Sequence, residues 1–160
     1  MLIHPNPDPA DRRLSPSAGG TEPITVLVIE DDPSFACLLC DLLGTEEDLQ
    51  VVGVVSTVAA GVSWARRLRP RAVLTDYHLG DGTGEQAATL IKQLSPSTPI
   101  IMMSSDVSGV ARSAAERFGA DAYLDKAESI GRLAELIRVV VTAEPAPTLS
   151  LRTLSVRAHV

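Results

Sequence analysis

The chain has 160 residues, 45% hydrophobic and 21% charged, a balance that suits one compact domain with its own core and short tails. A formal net charge of −6 and a pI near 5.0 argue against direct nucleic-acid binding, which runs on a clustered basic excess. No apolar run approaches the roughly 18 residues of a membrane span, and the start MLIHPNPDPADRR lacks a signal peptide's basic and apolar regions, so a cytoplasmic protein without a membrane partner is expected.

Residues 1–23 hold five of the eleven prolines beside the stretch SAGG, which predicts a flexible leader that carries no helix or sheet ladder. The first strand is predicted at ITVLVIE (Ile24 to Glu30). Helical spacing follows in Phe35, Leu38, Leu39 and Leu42, with Pro33 suited to the first turn and Gly44 to the end. The only cysteines, Cys37 and Cys40, sit three apart on this helix. A redox pair or half a metal site is conceivable, but no second Cys/His pair completes a zinc site, and small semi-buried thiols kept reduced are the expectation.

A second strand is predicted at LQVVGVV (Leu49 to Val55), with a helix through Val58, Val62, Ala65 and Leu68. A third strand, RAVLTD (Arg71 to Asp76), runs into the glycine-studded loop of VLTDYHLGDGTG and a helix through Ala87, Leu90, Ile91 and Leu94. PIIMMS (Pro99 to Ser104) precedes a helix through Val110, Ala111, Ala114 and Phe118, closed at Gly119. DAYLDK (Asp121 to Lys126) precedes a helix through Ile130, Leu133, Ile137 and Val140. From Glu144 a short proline-opened tail follows, too small for a second domain. The predicted organisation is therefore a leader at 1–23, one domain at 24–143 and a tail at 144–160.

Five apolar strands alternating with five helices predict an α/β domain with an open, doubly wound, parallel sheet. In such sheets the site lies beyond the carboxyl ends of the strands. Those ends carry Glu30, Asp31 and Asp32 after the first strand, Asp76 after the third, Ser104 and Ser105 after the fourth and Lys126 after the fifth. Carboxylates held about 4 Å apart repel by about 4 kcal/mol at an effective dielectric of 20, so they take up protons or share a cation. Oxygen ligands alone select a hard ion, and Mg²⁺ suits a shallow site that keeps waters on the metal. An acid between that metal and Lys126 stays ionised and nucleophilic, which fits phosphoryl transfer onto Asp76. Ser104 could then donate to a phosphoryl oxygen, and small Ser105 leaves it room.

The blocks VLVIEDDP, VLTDYHLGDGTG, IIMMSSD and GADAYLDKAES resemble, in order and spacing, the signatures of the response-regulator receiver domain, nearest in pattern to receivers of LuxR-type regulators. The resemblance implies a flavodoxin-like strand order 2-1-3-4-5. It implies Asp76 as phosphoacceptor from a sensor histidine kinase or phosphotransfer protein, with Asp31 on Mg²⁺ directly, Glu30 through a water and His78 through its backbone carbonyl. Ser104 would be the switch hydroxyl, Lys126 the phosphate-pairing lysine and Tyr123 the aromatic that follows Ser104. Output would pass through a downstream protein or a homodimer on the face of the fourth helix, fifth strand and fifth helix. Residues 130–141, IGRLAELIRVVV, are apolar enough to extend that surface, or a domain absent from this chain would carry the output.

The chain departs from the family at Gly80, where proline is usual and a looser loop is expected, at Ala127, also a frequent proline, and at Thr83, where an acid is common. None removes a reacting group. The His78 ring is expected over the site, where it would lengthen or shorten the life of an acyl phosphate. Two other readings compete with the switch. A haloacid-dehalogenase-like phosphatase needs a second acid where His78 stands, and an inactive receiver would serve as a scaffold. As a switch, the chain catalyses only its own phosphorylation and dephosphorylation.

Overall fold

The computed structural model describes residues 22–106 and 109–143; the expected leader, bar its last two residues, and the expected tail lie outside the described residues. The elements run β1 (Ile24–Ile29), α1 (Pro33–Gly44), β2 (Leu49–Val55), α2 (Val58–Leu68), β3 (Ala72–Asp76), β4 (His78–Leu79), β5 (Gly82–Thr83), α3 (Gly84–Leu94), β6 (Ile100–Ser104), α4 (Val110–Arg117), β7 (Ala122–Asp125), α5 (Lys126–Ser129), a 3-10 turn at Ile130–Arg132, and α6 (Leu133–Thr142).

The five longer strands form one sheet in the order β2-β1-β3-β6-β7, every pair parallel. Counted among sheet strands alone, this is the expected 2-1-3-4-5 order of an open doubly wound fold. Alternate residues of a strand face opposite sides, so a sheet covered on both faces divides each strand between two cores. In β1, Val26 and Val28 pack with Leu39 and Leu43 of α1 and Leu133 and Ile137 of α6. Leu27 and Ile29 pack on the other face with Ala87, Ala88 and Ile91 of α3 and Ala115 of α4. Central β3 and β6 are buried at every position, which is why their sequences show no polar alternation.

The helix faces are narrower than their apolar spacing predicts. Leu38, Leu68, Leu90, Leu94, Val110 and Phe118 are exposed, while Ala36, Ala65, Ala87, Ala88, Ala111 and Ala115 are buried. Only the stripe of a helix nearest the sheet is covered, and small residues there let the helix lie close. The last strand and helix also shift from expectation. Strand β7 ends at Asp125, whose carboxylate accepts the Ala127 N–H at 2.8 Å and opens α5, so Lys126 is a helix residue. Proline at 127 would remove that donor.

Loops join the frame through charged side chains. The β4–β5 hairpin pairs His78 with Thr83 and carries Asp81 at its turn. Asp81 reaches across to α2, where its carboxylate accepts from Val58 N at 2.7 Å and Ala59 N at 3.3 Å, while Thr57 accepts from Ala60 N. The free N–H groups of that helix end are thus capped by the loop that follows Asp76. At the opposite end of the sheet, Arg138 of α6 bonds Asp48 through Nε at 2.8 Å and reaches Asp48 and Glu46 through one Nη, tying the last helix to the segment before β2. The Arg138 guanidinium holds the Asp48 carboxyl below its ordinary range.

Candidate functional site

Four parallel strands deliver their carboxyl ends to one rim, and the side chains found there are Glu30, Asp31, Asp76, Ser104 and Lys126. One carboxylate oxygen from each of Glu30, Asp31 and Asp76 falls within 4.8 Å of the others. Glu30 and Asp76 are buried, and Asp31 is exposed. Lys126 Nζ lies 2.7 Å from Glu30 Oε2 and 3.1 Å from Asp76 Oδ1. The second Glu30 oxygen accepts Asp32 N–H at 3.1 Å, and Asp76 Oδ1 also accepts Tyr77 N–H at 2.9 Å.

Burial is the largest influence on both carboxyls and pushes them upward, and Lys126 pulls each part of the way back, leaving both above their ordinary range. Neighbouring charge adds to this, Asp76 raising Glu30 and Asp31 raising Asp76. Lysine alone therefore does not offset the desolvation of this cluster. Three convergent oxygen donors, with no sulfur or imidazole among them, fit a hard divalent cation such as Mg²⁺ as the further counter-charge.

The sign of the pH effect follows directly. A carboxyl whose pKa is raised in the fold binds its proton more tightly there than in the unfolded chain, so its contribution to stability is present at acid pH and lost as pH rises through the folded value. For Glu30 and Asp76 that window lies above their ordinary 4.5 and 3.8. In chelator, the contribution of this pair is expected to fall as pH climbs above 4.5. Mg²⁺ at one fixed concentration, ten times its Kd at pH 7, is expected to restore about 1.4 kcal/mol at pH 7 and less at pH 5. Thermal melts with and without Mg²⁺ at both pH values check this; an equal gain at both would show that these acids are not the ligands.

Ser104 is fully buried, and its Oγ accepts Asp106 N–H at 2.9 Å. It also hydrogen-bonds the phenol of Tyr123, whose pKa burial and then Asp125 push up. Arg112 of α4 stacks 5.1 Å over the Tyr123 ring, so the hydroxyl, the aromatic and the fourth helix form one chain of contacts. Ser105 is exposed at the strand end. His78 is exposed, with its ring edge-on to Tyr77 at 4.7 Å.

Several contacts that shape the site were not picked out from the sequence. Tyr77 donates its hydroxyl to Glu85 at 3.1 Å and so links the residue after Asp76 to the start of α3. Thr83 and Gln86 form a capping box on α3, a Thr-x-x-Gln signal legible in the sequence. The expected looseness at Gly80 is countered next door by the Asp81 contacts with α2.

Gly84 closes the loop, donating its N–H to Tyr77 O at 2.8 Å. A Cβ at this position would collide with the backbone carbonyl of Asp76, which cannot swing aside as a side chain tip would. Gly84→Ala is expected to destabilise the fold by about 2 kcal/mol through overpacking. Urea denaturation reads this as a lower midpoint at constant slope; an unchanged midpoint would mean that the end of β3 yields freely.

The family model for the response regulator receiver domain matches residues 26–138. Among curated proteins, a protein-glutamate methylesterase/protein-glutamine glutaminase 2 of Anaeromyxobacter dehalogenans is 32% identical over 123 residues, 77% of this chain and 36% of that protein. Response regulator protein VraR of Staphylococcus epidermidis is 28% identical over 121 residues, 76% of this chain and 58% of that one. The chain thus spans between about a third and three-fifths of the lengths of these relatives. Among solved structures, the response regulator domain of Thermotoga maritima CheB superposes with a TM-score of 0.71 at 26% identity, covering 78% of this chain and all of that one.

Proposed function

The chain belongs to the response regulator receiver domain family of two-component systems, and on that premise we propose that it is a phosphorylation-driven signalling switch with Asp76 as the phosphoacceptor. The observation that carries this reading is the position of Lys126, whose ammonium is held between Glu30 and Asp76 at the strand-end rim. A charge fixed there has its use when a further anion arrives at Asp76.

Glu30, Asp31 and Asp76 would hold Mg²⁺, with the His78 carbonyl as a further oxygen; the ion, when bound, supplies positive charge to the carboxylates and to the incoming phosphoryl oxygens. An Asp76 oxygen attacks the phosphorus of a kinase or phosphotransfer-protein phosphohistidine. The P–N bond breaks, and the imidazole nitrogen leaves with the bonding pair. Lys126 pairs with the new phosphoryl group, and Ser104 leaves Asp106 N–H to donate its hydroxyl to a phosphoryl oxygen. Tyr123 and Arg112 follow, and the face of α4, β7 and α6 changes for a downstream protein or a second copy. Among the described residues no helix is long and apolar enough to cross a membrane, and a cytoplasmic location suits kinase contact. The domain limits 24–143 belong to the same proposal.

Intact-mass spectrometry after incubation with acetyl phosphate tests it. One phosphoryl adduct per chain is expected with Mg²⁺, none in chelator, and hydroxylamine should remove it as it removes an acyl phosphate. A folded, Mg²⁺-binding protein that takes no adduct would overturn the switch.

A further inference from the structure

A lysine ammonium has three N–H bonds to place. In Lys126 the carboxylates of Glu30 and Asp76 take two sides, at 2.7 and 3.1 Å. The remaining side meets the face of Phe35, whose ring centroid is 4.1 Å from Nζ. We propose that Phe35 is a positioning residue for the phosphoryl pocket, its ring face seating the Lys126 ammonium so that the charge stays aimed at Asp76. This rests on the reading of Asp76 as phosphoacceptor.

The local sequence fixes the ring. Asp32 caps α1, accepting from Ser34 N at 2.8 Å and Phe35 N at 3.4 Å, and Pro33 opens the helical turn, so Phe35 stands at the third helical position. The ring is half-buried against the core of α1 and α6, and the Lys126 side chain is only 11% exposed. An aromatic face within about 6 Å of an ammonium attracts it, more strongly when water is excluded. Lysine is a flexible chain bearing a point charge, and it gains most from such a seat. When a phosphoryl oxygen draws Nζ away from Asp76 Oδ1, the ring stays as the fixed wall and limits where the ammonium goes.

The chain has only two lysines, Lys92 and Lys126, so lysine-selective ¹³C labelling gives two side-chain signals. In the metal-free protein the ring current of Phe35 is expected to move the Lys126 ε-methylene protons upfield. Phe35→Tyr should keep the shift and Phe35→Leu should lose it; Phe35→Met repeats the test if leucine lowers the folded fraction. With acetyl phosphate, Phe35→Leu is expected to take up phosphoryl about five-fold more slowly than wild type and Phe35→Tyr to stay within about two-fold. Calorimetric Mg²⁺ affinity should be the same in all three. Equal rates for the leucine and tyrosine variants, or no upfield shift in wild type, would overturn the proposal, because packing alone would then explain Phe35. A shift that responds as expected, with no phosphoryl uptake by any of the proteins, would overturn Asp76 as acceptor while leaving the ring and ammonium paired.

Discussion

Asp76→Asn is expected to take up no phosphoryl group and, at pH 7 without metal, to melt higher than the wild type. Both outcomes have one origin. The carboxylate that would attack phosphorus sits where burial penalises its charge more than Lys126 relieves it. An amide of nearly the same shape has no charge to desolvate, and its oxygen can still accept Tyr77 N–H, which lies 2.9 Å from Oδ1 in the native protein. The nucleophile is lost, while Lys126 keeps Glu30. Since the wild-type penalty exists only when Asp76 is ionised, the gap in melting temperature should close as pH falls toward the ordinary carboxyl range. Paired thermal melts at pH 7 and pH 4.5, beside intact mass with acetyl phosphate, check both halves. A variant that still gains a phosphoryl group would move the acceptor to another residue, and one that melts lower would show that Asp76 contributes more through its contacts than its burial costs.

Lys126→Met acts in the opposite direction. It removes what is, among the described residues, the one cation paired with two carboxylates whose side chains are 0% and 11% exposed, Glu30 and Asp76. Methionine keeps most of the side-chain volume, so the loss is chiefly electrostatic. Stripping one partner from a buried ion pair costs about 3 kcal/mol, because the remaining charges stay desolvated and uncompensated. The acids can escape part of that by binding protons, so the loss should be largest at pH 7 and shrink on acidification. Uptake from acetyl phosphate should slow about a hundred-fold, the usual scale for removing one preorganised group that meets developing negative charge. Urea melts at two pH values and the rate of adduct formation read these separately. A variant as stable as wild type at pH 7 would mean that water, not lysine, compensates the two acids.

Sequence pattern was enough for the sheet and for the ionisable groups at its rim, for a physical reason. Buried parallel strands must be apolar on both sides, and charges at their ends stand out against that background, as Asp76 does after AVLT. Phe35 and Asp81 are different. Each acts on an element distant in sequence: Asp81 on Val58 and Ala59, Phe35 on Lys126. Phe35 has the spacing of an ordinary core residue, and the carboxylate of Asp81 looks like any solvated turn. Nothing local distinguishes them until the fold brings their partners near. Helix faces erred in the same way. Leu90 and Leu94 share a period with Ile91, but how far α3 lies from the sheet decides which of them is covered.

The contact of Arg138 with Glu46 and Asp48 has a mechanical meaning. Helix α6 spans ten residues, a rod of roughly 15 Å. Arg138 is its sixth residue, so the bolt sits near the middle of the rod. A push delivered at one end cannot slide such a rod along its length; it can only swing it, with the arginine as pivot. The tilt is then the same along the rod, and displacement grows with distance from the pivot, the two ends moving in opposite directions. A docking surface on this helix would thus register an angle, and salt that loosens the pivot would blur that angle, whereas acid would reach Glu30 and Asp76, which are raised, before Asp48, which is lowered.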